Sequence, residues 1–268
     1  MQHEGRAVYR HSVVTRITHW AFFLAFMALV SSGLQVFNAA PYLDASDKSN
    51  PARRVLSFDS PRDGIGTTTI FGHTIKTTGL FGWTADGMGG STARAFPSWL
   101  TIPAEQSLAD GRRWHFFFAY VMIVCGIAYV IWGLRRKNVR EMFLRRSDLP
   151  KLWPMQAYYF RLRQEPPEHG TYNPLQKLAY TLVVFVFAPA IVISGIALSP
   201  GYDAFLHPIT SLFGGRQFAR LWHFVAMVAL IGFFVTHIIL VATQGVVNQL
   251  RSMITGWFRL DAHDGTGV

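Results

Sequence analysis

Four stretches of this chain contain no Asp, Glu, Lys or Arg: Ile17 to Phe37, Trp114 to Leu134, Leu178 to Ser199 and Leu221 to Thr243. Each reaches the roughly 20 residues that an α-helix needs to cross about 30 Å of hydrocarbon. Soluble core helices are rarely so long and so apolar on every face. The sequence therefore predicts an all-α membrane protein. Its single domain, 1–268, is a four-transmembrane-helix bundle with helices at about 17–37, 114–134, 178–199 and 221–243. The mean hydropathy of +0.23 is modest because two long polar connections separate the spans.

Arg6, Arg10 and Arg16 before the first apolar run resemble the start of a secretory signal. That run is longer than a typical signal core, and no small-x-small cleavage site follows it, so a retained helix is expected. The single cysteine, Cys125, lies within the second span. One cysteine excludes an intrachain disulfide, an iron–sulfur cluster owned by this chain alone and the Cys-x-x-Cys-His attachment of c-type haem.

Lys and Arg near span ends set topology. The connection 135–174 holds nine basic and four acidic residues, with Arg135, Arg136, Lys137, Arg140, Arg145 and Arg146 close behind the second span. It is expected to be cytoplasmic. The connection 38–112 holds seven of each sign and is expected to be exported, which leaves both termini and the tail 244–268 cytoplasmic. The net charge of +10 thus reads as membrane topology, with no nucleic-acid partner implied.

Ionisable or strongly polar side chains inside a span are costly and call for partners. His19 falls near the cytoplasmic start of helix 1, His115 near the exported start of helix 2, His223 near the exported start of helix 4 and His237 deeper in that helix. The 14 residues between His223 and His237 turn through about 1400°, close to four full turns, so the two share a face while standing roughly 21 Å apart. That gap is too long for one metal ion but suits two haems at different depths. Depth pairs His115 with His223 and His19 with His237, two neutral imidazoles for each low-spin iron. A lone histidine here would read as a packing residue. Four at two matched depths are read as axial ligands of two haem b groups. A zinc or copper site would need three or four ligands converging on one point.

The segments Arg16-Ile-Thr-His19-Trp20, Arg113-Trp-His115, Tyr172-Asn-Pro-Leu-Gln-Lys177 and Trp222-His223 with His237 resemble the cytochrome b subunits of respiratory formate dehydrogenases, nickel–iron hydrogenases and thiosulfate reductases. This is the bacterial cytochrome b561 or Ni-hydrogenase cytochrome b type. The resemblance covers the four spans and their flanks. It implies a membrane subunit of the bacterial inner membrane whose two haems connect a periplasmic-side catalytic subunit to a quinone, menaquinone or ubiquinone, near the cytoplasmic haem. An iron–sulfur subunit intervenes where one exists. The long connection between helices 1 and 2 departs from the commonest pattern of the family.

Haem propionates are anionic, and Arg16, Arg112, Arg113 and Arg220 lie beside the histidines at span ends, where they are candidates to meet them. Gly33, Gly126, Gly195 and Gly232 could admit a porphyrin close to backbone, although small residues are also routine at membrane helix contacts. Asn173, Gln176 and the surroundings of His237 are the candidate quinone site, since the resemblance matches Asn173 to an asparagine of the formate dehydrogenase quinone site. Asn173 also fits a helix N-cap followed by Pro174 at the first helical position. The remaining histidines, His3, His11, His73, His169, His207 and His263, read as solvated, with His207 placed where it could touch a docked partner.

In the exported loop, 66–79 alternates β-branched residues about a Gly-His turn and predicts a hairpin, while 80–98 shows no clear period. After helix 4, Val246, Val247, Leu250, Met253, Ile254, Trp257 and Phe258 follow helical spacing opposite Arg251 and Arg259, a helix lying in the cytoplasmic interface. The functional expectation is an electron-transfer subunit of a molybdopterin or nickel–iron oxidoreductase, not the carrier of its primary catalytic site. The alternatives are a stand-alone cytochrome b that oxidises superoxide and reduces quinone, and a haem-free transporter or scaffold.

Overall fold

The computed structural model describes residues 7–135, 141–170, 172–243 and 245–260. His3, His263, Arg136, Lys137 and Arg140, named above, lie outside them. The protein is mostly helical and has four helices of membrane length and composition: Val13–Phe37, Leu108–Gly133, Pro174–Leu198 and Arg216–Thr243. Each begins four to six residues before its charge-free stretch. Helix ends tolerate polar and charged residues because their unpaired backbone groups face water or caps, so Arg16, Arg112, Arg113, Lys177 and Arg220 all lie within helices.

Helix α1 (Val13–Phe37) starts behind Ser12, whose Oγ accepts from the Thr15 amide at 3.2 Å. Helix α2 is Leu108–Leu134. The third span consists of α4 (Pro174–Leu182), a π-helical turn (Val183–Phe187) and α5 (Ala188–Leu198). The short α3 (Leu152–Tyr159) precedes it, and α6 (Pro200–Leu212), α7 (Arg216–Thr243) and α8 (Val246–Thr255) follow. Helix α6 was not apparent in the sequence, and it places His207 on a helix instead of in a loop. Many span side chains stand exposed in the isolated chain, including Phe117 at 60% and Val124 at 65%, as lipid-facing residues must.

The all-α expectation describes the spans but not the connection between α1 and α2, which is β structure. Strands β2 (Tyr42–Asp44), β3 (Arg54–Arg62), β4 (Ile65–Ile70) and β5 (His73–Lys76) form one antiparallel sheet in that order. The predicted hairpin is β4–β5, with Thr69 opposite Thr74. The aperiodic segment after it contains a second hairpin, β6 (Gly82–Ala85) with β7 (Ser91–Arg94). Gly82 is needed there: its φ is +80°, and a Cβ would come within 2.5 Å of the Asp59 carbonyl oxygen.

The chain divides into two compact units, each taking one stretch from every span. In the unit 20–125 with 190–227, Phe37, Phe58, Phe81 and Phe96 pack at ring-centroid distances of 5.2–6.0 Å. Leu34, Leu43, Ala95 and Phe224 complete a core that seats the sheet on α1 and α7. Polar bonds reinforce it, since the Asn38 Oδ1 accepts from the Phe96 amide at 2.8 Å in a buried setting.

In the other unit, strands β1 (Ala7–Tyr9) and β8 (Trp257–Arg259) pair, and Arg16 donates to the Ile254 carbonyl at 2.5 Å. His11, expected to be solvated, is half-buried in this strap, and burial lowers its pKa, aided by Arg10, His19 and Arg16. Asn173 and Gln176 cap α4 reciprocally, each side chain accepting from the other's amide at 2.9 and 3.1 Å. Lys177, one residue further on, forms an ion pair with Asp148 at 3.1 Å; the two side chains are 14% and 11% exposed.

Candidate functional site

The structure brings the four span histidines together as two pairs. His115 on α2 and His223 on α7 stand with ring centroids 6.2 Å apart and planes at 62°. His19 on α1 and His237 on α7 are also 6.2 Å apart, at 58°, with Phe233 stacked on His237 at 6.3 Å and 17°. Each pair lies within one compact unit. Among the described residues no group of three or more His, Cys, Asp or Glu side chains converges as a metal-ion site, so any metal here must bring its remaining donors with it, as porphyrin iron does.

The first pair has further order. Ser32 donates its single hydroxyl proton to the Ala28 carbonyl at 2.6 Å, and its Oγ lies 3.2 Å from His115 Nδ1. With that proton committed, the oxygen can only accept, so His115 carries its proton on Nδ1. Ser194 repeats the arrangement: it donates to Ala190 at 2.5 Å, and its Oγ lies 3.0 Å from His223 Nδ1. Both imidazoles are thereby fixed in the tautomer that leaves Nε2 unprotonated, the form that binds metal. Two metal–imidazole bonds of about 2 Å put the facing nitrogens roughly 4 Å apart and the ring centroids about 6 Å apart, which both pairs match.

A glycine follows each serine. A Cβ on Gly33 would lie 3.2 Å from His115 Cε1, and one on Gly195 would lie 3.4 Å from His223 Cε1. These two glycines leave room for imidazole. At Gly232 an added Cβ meets nothing within 4 Å. Gly33→Ala requires a shift of a few tenths of an ångström. Gly33→Val is expected to lower haem affinity at the His115 pair about 10–100-fold by turning the ring away from its partners. Haem-to-protein ratios of the two variants check this.

The candidate arginines are differently engaged. Arg16 bonds Ile254 through Nη1, while its buried Nε has no partner among the described residues. Arg112 lies 5.6 Å over the Phe116 ring, and Arg113 pairs with Asp110 at 3.0 Å on the surface. Arg220 donates to the Ala40 carbonyl and sits over the Phe37 and Tyr42 rings at 4.9 and 5.5 Å, so it holds the β connection. Asn173 is 8% exposed and donates from Nδ2 to the Tyr159 hydroxyl at 3.2 Å, in addition to its cap with Gln176. His207 is exposed and lines an open recess of about 410 Å³ with Lys48 and Arg216.

Sequence reasoning missed Ser32 and Ser194, although the Ser-Gly dipeptide within two charge-free spans was a usable signal. It also missed Arg94, which is 3% exposed.

Imidazoles paired between membrane-length helices, in a sequence without a Cys-x-x-Cys-His motif to tether a porphyrin, define the class: a membrane-embedded b-type cytochrome. The chain belongs to the prokaryotic cytochrome b561 family, whose sequence model matches residues 10–256. It is 26% identical over 252 residues to the putative protein-methionine-sulfoxide reductase subunit YedZ1 of Azospira oryzae, covering 92% of this chain and 96% of that protein. It is 23% identical over 157 residues to the probable Ni/Fe-hydrogenase B-type cytochrome subunit of Bradyrhizobium diazoefficiens, covering 53% of this chain and 64% of that one. No solved structure matches the chain significantly. The protein is thus a multi-pass membrane cytochrome of electron transfer, and family membership carries haem b binding with it.

Proposed function

We propose that the protein is a two-haem subunit, one integral domain of the bacterial inner membrane. It passes electrons between a periplasmic-side catalytic oxidoreductase and menaquinone or ubiquinone at the cytoplasmic side. The observation that carries this reading is the pair of equal 6.2 Å imidazole separations, one in each compact unit, with α7 supplying a member to both. Each bound haem would supply reversible one-electron transfer. His115 with His223 and His19 with His237 are the ligands, and Ser32 and Ser194 orient the first pair.

The charge asymmetry of the connections supports a cytoplasmic side for both termini and 135–174, with the β connection in the periplasm. Its exposed Phe71, Met88 and Trp99, at 76%, 78% and 70%, support a docking face for the catalytic subunit. Both curated relatives are named as subunits, one of a reductase and one of a hydrogenase, which supports such a partner. The exposed Val247, Ile254 and Trp257 fit a helix α8 and following strand lying in the cytoplasmic interface. Arg16, with an unpartnered buried Nε, is the favoured propionate contact of the His19 pair.

On the cytoplasmic side Asn173 retains one N–H and one lone pair beyond its cap and its bond to Tyr159, enough to hold a quinone carbonyl beside Gln176. Purification in mild detergent tests the function. Two bis-imidazole haem b per chain and a co-purifying catalytic subunit are expected; a chain without bis-imidazole haem b absorption refutes the reading. Quinone reduction by superoxide with the chain alone would replace the subunit role by a stand-alone one. Asn173→Ala should keep both haems and slow quinone turnover severalfold, and unchanged quinone kinetics would remove Asn173 from the site.

A further inference from the structure

Arg94, at the end of β7, is 3% exposed. Its Nη1 donates to the carbonyls of Asp86 and Ala104 at 3.4 and 3.0 Å, and its Nη2 donates to Gln35 Oε1 and Thr101 Oγ1 at 3.1 and 2.9 Å. Every one of these acceptors is neutral, and Nε has no partner among the described residues. The Asp86 carboxylate is held by the amides of Met88 and Gly90. A guanidinium stays protonated at any physiological pH, so the β connection holds a buried positive charge that makes no ion-pair contact among the described residues, the Asp86 carboxylate acting on it only through space. Buried charges are ordinarily paired by direct contact, because desolvation is expensive. Without that contact, part of the field of this charge reaches what lies nearby.

What lies nearby is the His115 pair. Gln35, which bonds Arg94, is one helical turn, about 4.5 Å along the axis, from Ser32, which bonds His115. Gly111, one turn before His115, is packed so closely on Gln35 that a Cβ would come within 2.8 Å of its Cγ. The route from guanidinium to imidazole thus runs through packed, water-poor structure, where charges are weakly screened.

We propose, on the two-haem reading above, that Arg94 sets the reduction potential of the haem held by His115 and His223. Its buried cation favours the state carrying one more electron. Arg94 is a positioning residue that acts through its field and touches neither ligand. The β connection is then part of the redox site as well as a cover for it.

Potentiometric titration of the purified, haem-loaded chain tests this. Arg94→Gln removes the charge. Thr101→Asp leaves the guanidinium in place and neutralises it with a carboxylate at the position of the Thr101 hydroxyl. Each is expected to shift the wave that disappears in His223→Ala toward lower potential by at least a tenfold change in the reduction equilibrium, 59 mV for one electron, with the other wave unmoved. Arg94→Lys should retain most of the wild-type value. An Arg94→Gln protein that fails to fold leaves Thr101→Asp to carry the test. An unmoved wave in Thr101→Asp, equal shifts in Arg94→Lys and Arg94→Gln, or movement of both waves together would overturn the assignment. Absence of haem from the wild-type chain would refute the two-haem reading instead, before any titration.

Discussion

On the two-haem reading, His223→Ala is expected to bring the haem b content of the purified chain from two to one and to stop electron entry from the proposed partner. The alanine removes an imidazole whose ring is held on one side by Ser194 and faces His115 on the other. His115 alone offers only one of the two strong axial ligands that a low-spin haem iron takes. The His19 and His237 pair belongs to the other compact unit and should keep its haem signal. The loss in partner-to-quinone electron transfer should exceed the roughly 10–100-fold typical of a missing outer-shell partner, and Ser194→Ala, which removes only that partner, should fall within the range. Pyridine haemochrome content and the number of waves in a redox titration are the measurements; two haems retained in His223→Ala would defeat the pairing.

Lys177→Met should have the largest effect on stability. It leaves the Asp148 carboxylate, whose residue is 8% exposed, with the Arg145 amide at 2.9 Å and the more distant charge of Lys151. Breaking a buried pair from one side costs about 3–5 kcal/mol, and the residual exposure of this one points to the lower end. The pH dependence carries a sign. Burial pushes the Asp148 carboxyl upward, but the Arg145 amide and the Lys177 ammonium outweigh it, and the net pKa lies below the ordinary 3.8. A carboxyl depressed in the folded state stabilises fully above its unfolded value and loses that contribution as pH falls from about 4 through the lower folded value. Without Lys177 two of the lowering influences are gone, so the variant has less of this contribution to lose as pH falls. The melting-temperature gap between wild type and Lys177→Met should therefore narrow as pH drops below about 4, and Asp148→Asn combined with Lys177→Met should recover much of the loss. A gap independent of pH would show that the carboxylate is not the stranded group.

The spans were legible because absence of charge over about 20 residues has few other meanings. The 14-residue spacing on α7 was legible for a similar reason: helix geometry converts sequence separation directly into face and depth. Asn173 with Gln176 was readable as a cap because capping is local. Ser32 and Ser194 were not, since their reach to His115 and His223 depends on how each helix is rotated against its neighbour, which tertiary packing decides. Arg94 carried no local signal of burial. Its burial arises from a second hairpin that lacks alternation and from contacts with Gln35, 59 residues earlier. The short α6 carries Pro208 and a break at Leu206, features that read from sequence as a loop.

Ser32 and Ser194 have one more consequence. They give His115 and His223 the same proton position and the same kind of acceptor, so on the two-haem reading the two faces of the iron meet donors of matched strength. A coordination sphere without a weak side has no position that opens readily to dioxygen or peroxide. On that reading direct binding of those oxidants to the iron is disfavoured, an effect of two hydroxyl groups that never touch the metal.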